Sequence, residues 1–135
     1  MQSNTSIMNK KVILWFANNQ CGSIRRNSAA TISGGWLISL ADEIKKNPGV
    51  ELNVAFFSKV KENPFDYDGV RYYPMYSPIS KNKIVRVIGR LKSKEEKDKQ
   101  MLSLMLDVVK DVKPDIIHIH GTEERFGLIQ DYVKD

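Results

Sequence analysis

Two short segments carry the residues best suited to chemistry. One is the pair Gly34-Gly35, and the other holds two histidines, His118 and His120, that are two positions apart. Glycines let the backbone approach a ligand closely, and the N-terminus of a following helix offers unpaired N–H groups to a phosphate. His120 falls at the carboxyl end of a predicted strand, which is where open α/β sheets place their ligand sites. The two segments together predict a ligand cleft that suits an anionic group.

The two histidines are expected to play different roles. In a strand, His118 and His120 point to the same face together with Ile116. His120 is the better placed for chemistry, whereas His118 is best interpreted as a buried histidine whose ring is satisfied by a neighbouring backbone group. A metal site built from both histidines and Glu123 is disfavoured, because the ligand pattern is incomplete and the chain has no further histidine. Asp115 is predicted to be structural.

Other motifs leave alternatives open. Gly34-Gly35 alone is equally consistent with a plain tight turn, since the loop has no G-x-G-x-x-G and the chain has no P-loop motif. Arg25 and Arg26 either contact an anionic substrate or belong to a solvated loop. No nucleophile motif such as G-x-S-x-G is present. Cys21 is most simply an incidental thiol, and as the single cysteine it cannot form an intrachain disulfide.

Composition and charge set the class of protein. The chain has 135 residues with 41% hydrophobic and 27% charged residues, which predicts a single globular domain. The net charge of +5 favours anionic partners such as nucleotide phosphates or anionic lipid. The N-terminal residues lack the apolar run of a signal peptide, and no segment approaches the length of a membrane span, so we expect a cytoplasmic protein.

A basic segment runs from Lys81 to Lys99, with aliphatic residues interleaved among lysines and arginines. It is best interpreted as an ordinary exposed helix over at least its first half. The alternative is a membrane-surface helix attracted by anionic lipid. Nucleic acid is disfavoured as a partner, because aromatic residues are not interleaved with the basic ones.

Strands alternating with helices position these candidate residues. Apolar runs predict strands over residues 12–17, 51–57, 70–76 and 115–120, the third of which should be an edge or end at Pro74. Periodic apolar residues predict a helix that Ser33 caps and that Asn47-Pro48-Gly49 stops, a second helix that opens at Ser93, and a third over residues 123–133. The core stripe of the first helix is expected to hold Trp36, Leu37, Leu40, Ala41 and Ile44. The fold class is therefore α/β with a doubly wound, mostly parallel, Rossmann-like sheet and helices on both faces.

The order of these features resembles the N-terminal domain of a GT-B glycosyltransferase of the retaining, family 4 type. The residues that carry the resemblance are the first strand, the segment Ser33-Gly34-Gly35-Trp36 with its helix, the second strand, Asp68-Gly69-Val70, and Lys113-Pro114-Asp115-Ile116-Ile117-His118-Ile119-His120-Gly121. The last stretch is the most specific, and together these segments cover most of the chain.

The resemblance implies an activity, with named roles. Gly34 and Gly35 would lie near the donor diphosphate, and His120 would face the sugar and the reacting centre. Arg25, Arg26 and Thr122 are weaker candidates for contacting the acceptor. The implied reaction transfers a hexose from a nucleotide sugar to a glycan or lipid-linked acceptor, with retention of configuration and without a metal or other cofactor. The resemblance further implies that the basic segment from Lys81 to Lys99 contacts the inner face of an anionic membrane.

The resemblance also implies that part of the enzyme lies outside these residues. The nucleotide-binding half, with its paired-glutamate motif, belongs to a C-terminal Rossmann-like domain that residues 1–135 do not contain. Four predicted strands are also fewer than doubly wound domains usually carry, so we expect a truncated domain that is inactive alone. The rival hypotheses are a stand-alone Rossmann-like binding module and a membrane-surface interaction module.

Overall fold

Strands and helices alternate along the chain, as the sequence predicts. The computed structural model describes residues 10–18, 21, 23, 35–76, 94–120, 129 and 133. Its elements are β1 (Lys11–Ala17), α1 (Gly35–Lys45), β2 (Val50–Ser58), β3 (Phe65–Tyr67), β4 (Val70–Tyr76), α2 (Lys94–Val112) and β5 (Ile116–His120). The α/β class is confirmed. All four predicted strands are present, and β3 is a strand that the sequence analysis missed.

The five strands form one sheet in the order β3-β4-β2-β1-β5. Strands β1, β2, β4 and β5 are parallel to their neighbours, and only β3 is antiparallel, to β4. From β1 the chain passes through β2 to the outer strand β3, turns back into β4 between them, and then returns to the opposite side of β1 to add β5. The order of the strands reverses between β1 and β5.

Strand β1 is the centre of the core. Four successive residues, Leu14 to Ala17, are each 0% exposed, because the continuous apolar run is covered on both faces of the sheet. Trp15 and Ala17 pack with residues of α1, whereas Leu14 and Phe16 pack with residues of α2. The two helices thus bury alternate residues of the same strand.

Helix α1 begins at Gly35 and ends at Lys45, just before the predicted Asn47-Pro48-Gly49 stop. Its buried residues are Leu37, Ile38 and Ala41, while Leu40 and Ile44 are partly buried against the same cluster. The prediction that Trp36 belongs to the core is wrong, since its side chain is 62% exposed. Trp36 lies in the first turn, beside the last residue of β5, and Ile38 takes the core position instead.

The turn from α2 into β5 is fixed by backbone geometry and by one carboxylate. Lys113 has a φ of 52°, and its N–H donates to the Val109 carbonyl at 2.8 Å, which ends the helix before Pro114. Asp115 then bonds to Val12 twice. Its Oδ2 accepts from the Val12 N–H at 2.8 Å, and its own N–H donates to the Val12 carbonyl at 2.8 Å. The structural role predicted for Asp115 is confirmed.

A tight hairpin joins β3 to β4. Tyr67 pairs with Val70, so the loop has only Asp68 and Gly69, both with positive φ, which is the geometry that Asp-Gly hairpin turns require. The pairing of β3 with β4 ends at Tyr72. Pro74 lies beyond it in a part of β4 that, among the described strands, is paired only with β2, which confirms the predicted edge at Pro74.

Several predictions lie outside the described residues. These are the loop over most of residues 18–33 with the Ser33 cap, the basic segment up to residue 93, and most of the predicted helix over residues 123–133. Ile129 and Val133 are described, and both pack in the cluster on the α2 side of the sheet. None of the helices in the described ranges is long and apolar enough to cross a membrane.

Candidate functional site

His120 lies at the point where the strand order reverses. It is the last residue of β5 and pairs with Ala17, the last residue of β1, so it sits at the carboxyl edge of the sheet. In open α/β sheets this crevice, outside the carboxyl ends of the two strands that flank the reversal, is where ligands bind. The sequence predicts that His120 lies at the end of a strand. The structure shows that this strand, β5, is one of the two that flank the reversal of strand order.

Aromatic rings surround the His120 imidazole. The Trp15 ring lies 4.3 Å away and the His118 ring 4.0 Å away, measured between ring centroids. The Trp36 ring, on the first turn of α1, lies 5.6 Å away at an interplanar angle of 61°. His120 is thereby held between an indole of the core and an indole at the surface. These contacts bring the N-terminus of α1 next to the carboxyl end of β5.

One nitrogen of the buried His120 ring has no partner in the described part of the chain. The residue is only 5% exposed, and its Nε2 makes no hydrogen bond. A buried polar atom left unsatisfied costs about 1–3 kcal/mol, so native structures rarely keep one without a functional reason. Within the described residues, the Nε2 atom is therefore the buried side-chain polar atom that is left available to a ligand.

The surroundings keep the His120 ring neutral. Burial lowers the pKa of His120 from its ordinary value of 6.5 to about 4, and the charge of the neighbouring His118 adds to the effect. At neutral pH the ring carries one N–H and one acceptor nitrogen. His120 can thus hydrogen-bond to a ligand hydroxyl, and it does not provide a fixed positive charge for a phosphate.

The prediction that His118 is buried is wrong. Its side chain is exposed, although its ring contacts Trp15 edge-on at a centroid distance of 6.1 Å. The reason is that β5 is the outermost strand on its side of the described sheet, and its other face, with Ile117 and Ile119, is the one that packs toward α2. The prediction that the two histidines and Ile116 share a face agrees with this packing, because Ile117 and Ile119 lie on the other face. Ile116 is 50% exposed.

Gly35 is the first residue of α1 and faces open space. A Cβ atom built on Gly35 would meet no atom within 4 Å, and the residue does not have the positive φ that would require glycine. Neither close packing nor a positive φ therefore requires glycine here, and the absence of a side chain leaves room for a ligand to approach the backbone. The other predicted contacts, Gly34, Arg25, Arg26 and Thr122, lie outside the described residues.

Sequence reasoning missed the two indoles of the site. Trp15 was hidden in an apolar run, and Trp36 was assigned to the core because it fits a helical stripe. The available signal for Trp36 was its position directly after the glycine pair.

Cys21 is buried, with a φ of 51°, and its thiol donates to the Leu37 carbonyl at 3.6 Å, so it packs against α1.

A separate polar groove of about 230 Å³ lies at the other end of the sheet. It is lined by the amino-terminal halves of β2 and β4 and the last turn of α2, including Glu51, Asn53, Arg71 and Asp111. Asn53 and Arg71 already have partners there, in Glu51 and Asp66 respectively. Within the described ranges no group of three or more His, Cys, Asp or Glu side chains could hold a metal ion.

The fold and the site define an α/β protein with a mostly parallel five-stranded sheet and a candidate ligand cleft where its strand order reverses. No protein-family model matches the sequence, and no similar curated protein and no similar solved structure were found.

Proposed function

We propose that this chain is the N-terminal, acceptor-side domain of a retaining GT-B glycosyltransferase of the family 4 type, with a doubly wound Rossmann-like sheet. The enzyme would transfer a hexose from a nucleotide sugar to a glycan or lipid-linked acceptor. The observation that carries the proposal is the buried Nε2 of His120, which has no partner within the described residues and lies where the strand order reverses, next to the first turn of α1. The order of motifs along the sequence supports the same class.

Helix α1 supplies the proposed diphosphate site. Its first N–H groups have no partners within the helix, and its dipole adds a partial positive charge there. Gly35 leaves open space in front of this turn. A diphosphate could approach the backbone at Gly34 and Gly35 more closely than any side chain would allow.

His120 would bind and orient the sugar. Because the imidazole is neutral at pH 7, its Nε2 can exchange a hydrogen bond with a sugar hydroxyl. The packing of Trp15 against the ring fixes its direction before the ligand binds. Such preorganised positioning lowers the barrier because the orientation is set in advance of the reaction.

The rest of the machinery would come from elsewhere. The nucleotide would be held by a second Rossmann-like domain, so residues 1–135 alone would bind ligand fragments without turnover. Arg25, Arg26 and Thr122 remain the proposed acceptor contacts, and the segment from Lys81 to Lys99 the proposed contact with anionic lipid. The nucleotide sugar is a substrate, and no other cofactor is invoked.

Binding of inorganic pyrophosphate to this chain tests the phosphate site. We expect pyrophosphate to shift the backbone amide NMR signals of Gly35 and Trp36. The Gly35→Ala variant should bind at least about tenfold more weakly, because the added methyl group occupies the space in front of the turn. Ser39→Ala, at an exposed position of the same helix, is the matched control and should bind like the wild type. Wild-type protein without an amide response at Gly35 would contradict the proposal.

Turnover of the full-length enzyme tests the role of His120. We expect His120→Ala to lower kcat by about 10²-fold, as loss of a preorganised hydrogen bond does in other active sites. His118→Ala, which removes the neighbouring imidazole and leaves Nε2 of His120 in place, is the comparison and should lower kcat much less. Normal turnover of His120→Ala would remove His120 from the proposed role, and a binding module would then become the better hypothesis.

A further inference from the structure

Trp36 is the one exposed tryptophan beside the site. The chain has two tryptophans, of which Trp15 is 0% exposed and Trp36 is 62% exposed. Helix α1 buries Leu37 and Ile38 immediately after it, so the helix is anchored without the Trp36 ring. The Trp36 ring contacts the His120 ring on one side, and most of its indole surface remains exposed.

We infer that Trp36 is a stacking platform for the pyranose ring of a sugar bound in this cleft. This inference rests on the proposed function, because it assigns a role within the same cleft. It adds the residue that recognises the face of the sugar ring.

The relative orientation of the rings favours a sugar. The Trp36 and His120 planes are inclined by 61°, so one flat ligand cannot stack on both rings. A ring that stacks on Trp36 would instead have its rim near the His120 ring, whose Nε2 has no hydrogen-bond partner in the described part of the chain. A pyranose has C–H groups on its face and hydroxyl groups around its rim. The negative face of the indole attracts the C–H groups, and the imidazole can bind a hydroxyl.

A nucleobase fits this arrangement less well. Bases bound in protein pockets are commonly stacked between aromatic or apolar side chains. Here the second aromatic plane is tilted away from the first, and it belongs to an imidazole with one nitrogen that lacks a partner among the described residues. We therefore assign the platform to a sugar ring and treat a base as an alternative outcome of the test.

The two tryptophans make a direct measurement possible. Protein labelled with 5-fluorotryptophan should give two ¹⁹F NMR signals, assigned by the Trp36→Phe variant. We expect methyl β-D-glucopyranoside, at concentrations up to roughly 50 mM, to shift the Trp36 signal and leave that of Trp15 unchanged, since dissociation constants for single sugars lie in the millimolar range. Sorbitol, which has the hydroxyls without the ring, should shift neither signal. A shift with uridine and none with the glucoside, or no shift with either, would overturn the inference.

Variants test whether the platform itself binds. In ligand-detected saturation-transfer NMR, Trp36→Ala should lose at least about tenfold in affinity for the glucoside, and Trp36→Phe should retain part of it because it keeps an aromatic face. Tyr76→Ala is the matched control, because Tyr76 is an exposed aromatic residue at the end of β4, with β2 and β1 between it and β5. Wild-type affinity in Trp36→Ala would overturn the inference. A pyrophosphate response at Gly35 without a glucoside response would reject the platform and leave the proposed function standing.

Discussion

At the scale of single residues, three properties coincide at His120. It is buried, one of its ring nitrogens is unpartnered within the described residues, and its ring touches an exposed indole. A buried nitrogen without a partner costs free energy of folding, and an exposed indole leaves apolar surface in contact with water. Their convergence at one position of the sheet is the best reason to look for a ligand there.

The depressed pKa of His120 makes the stability of the fold depend on pH. Since the folded-state pKa of about 4 lies below the ordinary value of 6.5, the unfolded chain binds the proton more tightly. We expect the free energy of unfolding to be unaffected by this group above pH 6.5 and to fall as the pH drops toward 4. The loss should reach roughly 3 kcal/mol, the free energy that corresponds to the difference between the two pKa values. Urea unfolding curves at several pH values measure it.

The His120→Gln variant separates this effect from the titration of carboxylates. Gln does not titrate, so the variant should lack the part of the pH dependence that lies between 6.5 and 4. In His118→Gln, removal of the neighbouring charge should raise the pKa of His120, which NMR titration of the ring protons would follow. A wild-type pH profile in His120→Gln would show that the ring is not held neutral by the fold.

At the scale of elements, most of the fold could be predicted, and the errors have physical reasons. The long apolar run of β1 and the Pro114-Asp115 boundary of β5 were sufficient to place those strands. Strand β3 was missed because three residues are too few to show alternation. Trp36 was misassigned because a helical stripe reports spacing along one helix, and it cannot reveal that the first turn lies beside the end of β5. His118 was predicted to be buried because the sequence does not show that β5 is the outermost strand on its side of the described sheet.

The C-terminus of α2 offers a test of backbone strain. Lys113 has a left-handed φ of 52°. This conformation is unfavourable for residues with a side chain, whereas glycine adopts it without strain. We expect Lys113→Gly to raise the free energy of unfolding by about 0.5–1 kcal/mol, after the greater flexibility of the unfolded glycine chain is taken into account. Lys110→Gly, one turn earlier, should instead lower it by a similar amount, because the helix interior disfavours glycine. Equal effects at both positions would contradict the left-handed assignment.

Asp115 offers a second test, on the attachment of β5 to β1. Replacement by Ala removes the Oδ2 acceptor of the Val12 N–H, and we expect a loss of about 1–2 kcal/mol in the free energy of unfolding. Asp115→Asn keeps an oxygen at the same place and should lose less. Chemical denaturation of both variants makes the comparison, and an unchanged stability in Asp115→Ala would show that the carboxylate does not hold the two strands.

At the scale of the whole molecule, the proposed function predicts a second wall for the cleft. The natural reading frame should encode roughly 200 further residues with a second Rossmann-like domain, since a nucleotide-binding half of that kind has the size of an ordinary domain. Sequencing the gene beyond the codon for Asp135 shows whether the reading frame continues and how many residues it adds. A stop codon directly after it would contradict the transferase hypothesis and favour a binding module.

The place of β5 in the sheet also has a consequence for how the chain folds during synthesis. Val12 and Asp115, which bond to each other, are 103 residues apart in sequence, whereas the pairs of β2 with β4 are much closer. Contacts between distant residues form late, because a long loop must close before they can stabilise anything. One edge of the apolar β1 strand therefore stays unpaired until nearly the whole segment has left the ribosome. During that time this edge is open to wrong pairing, and the pairing of β5 with β1 is the last part of the described sheet to form.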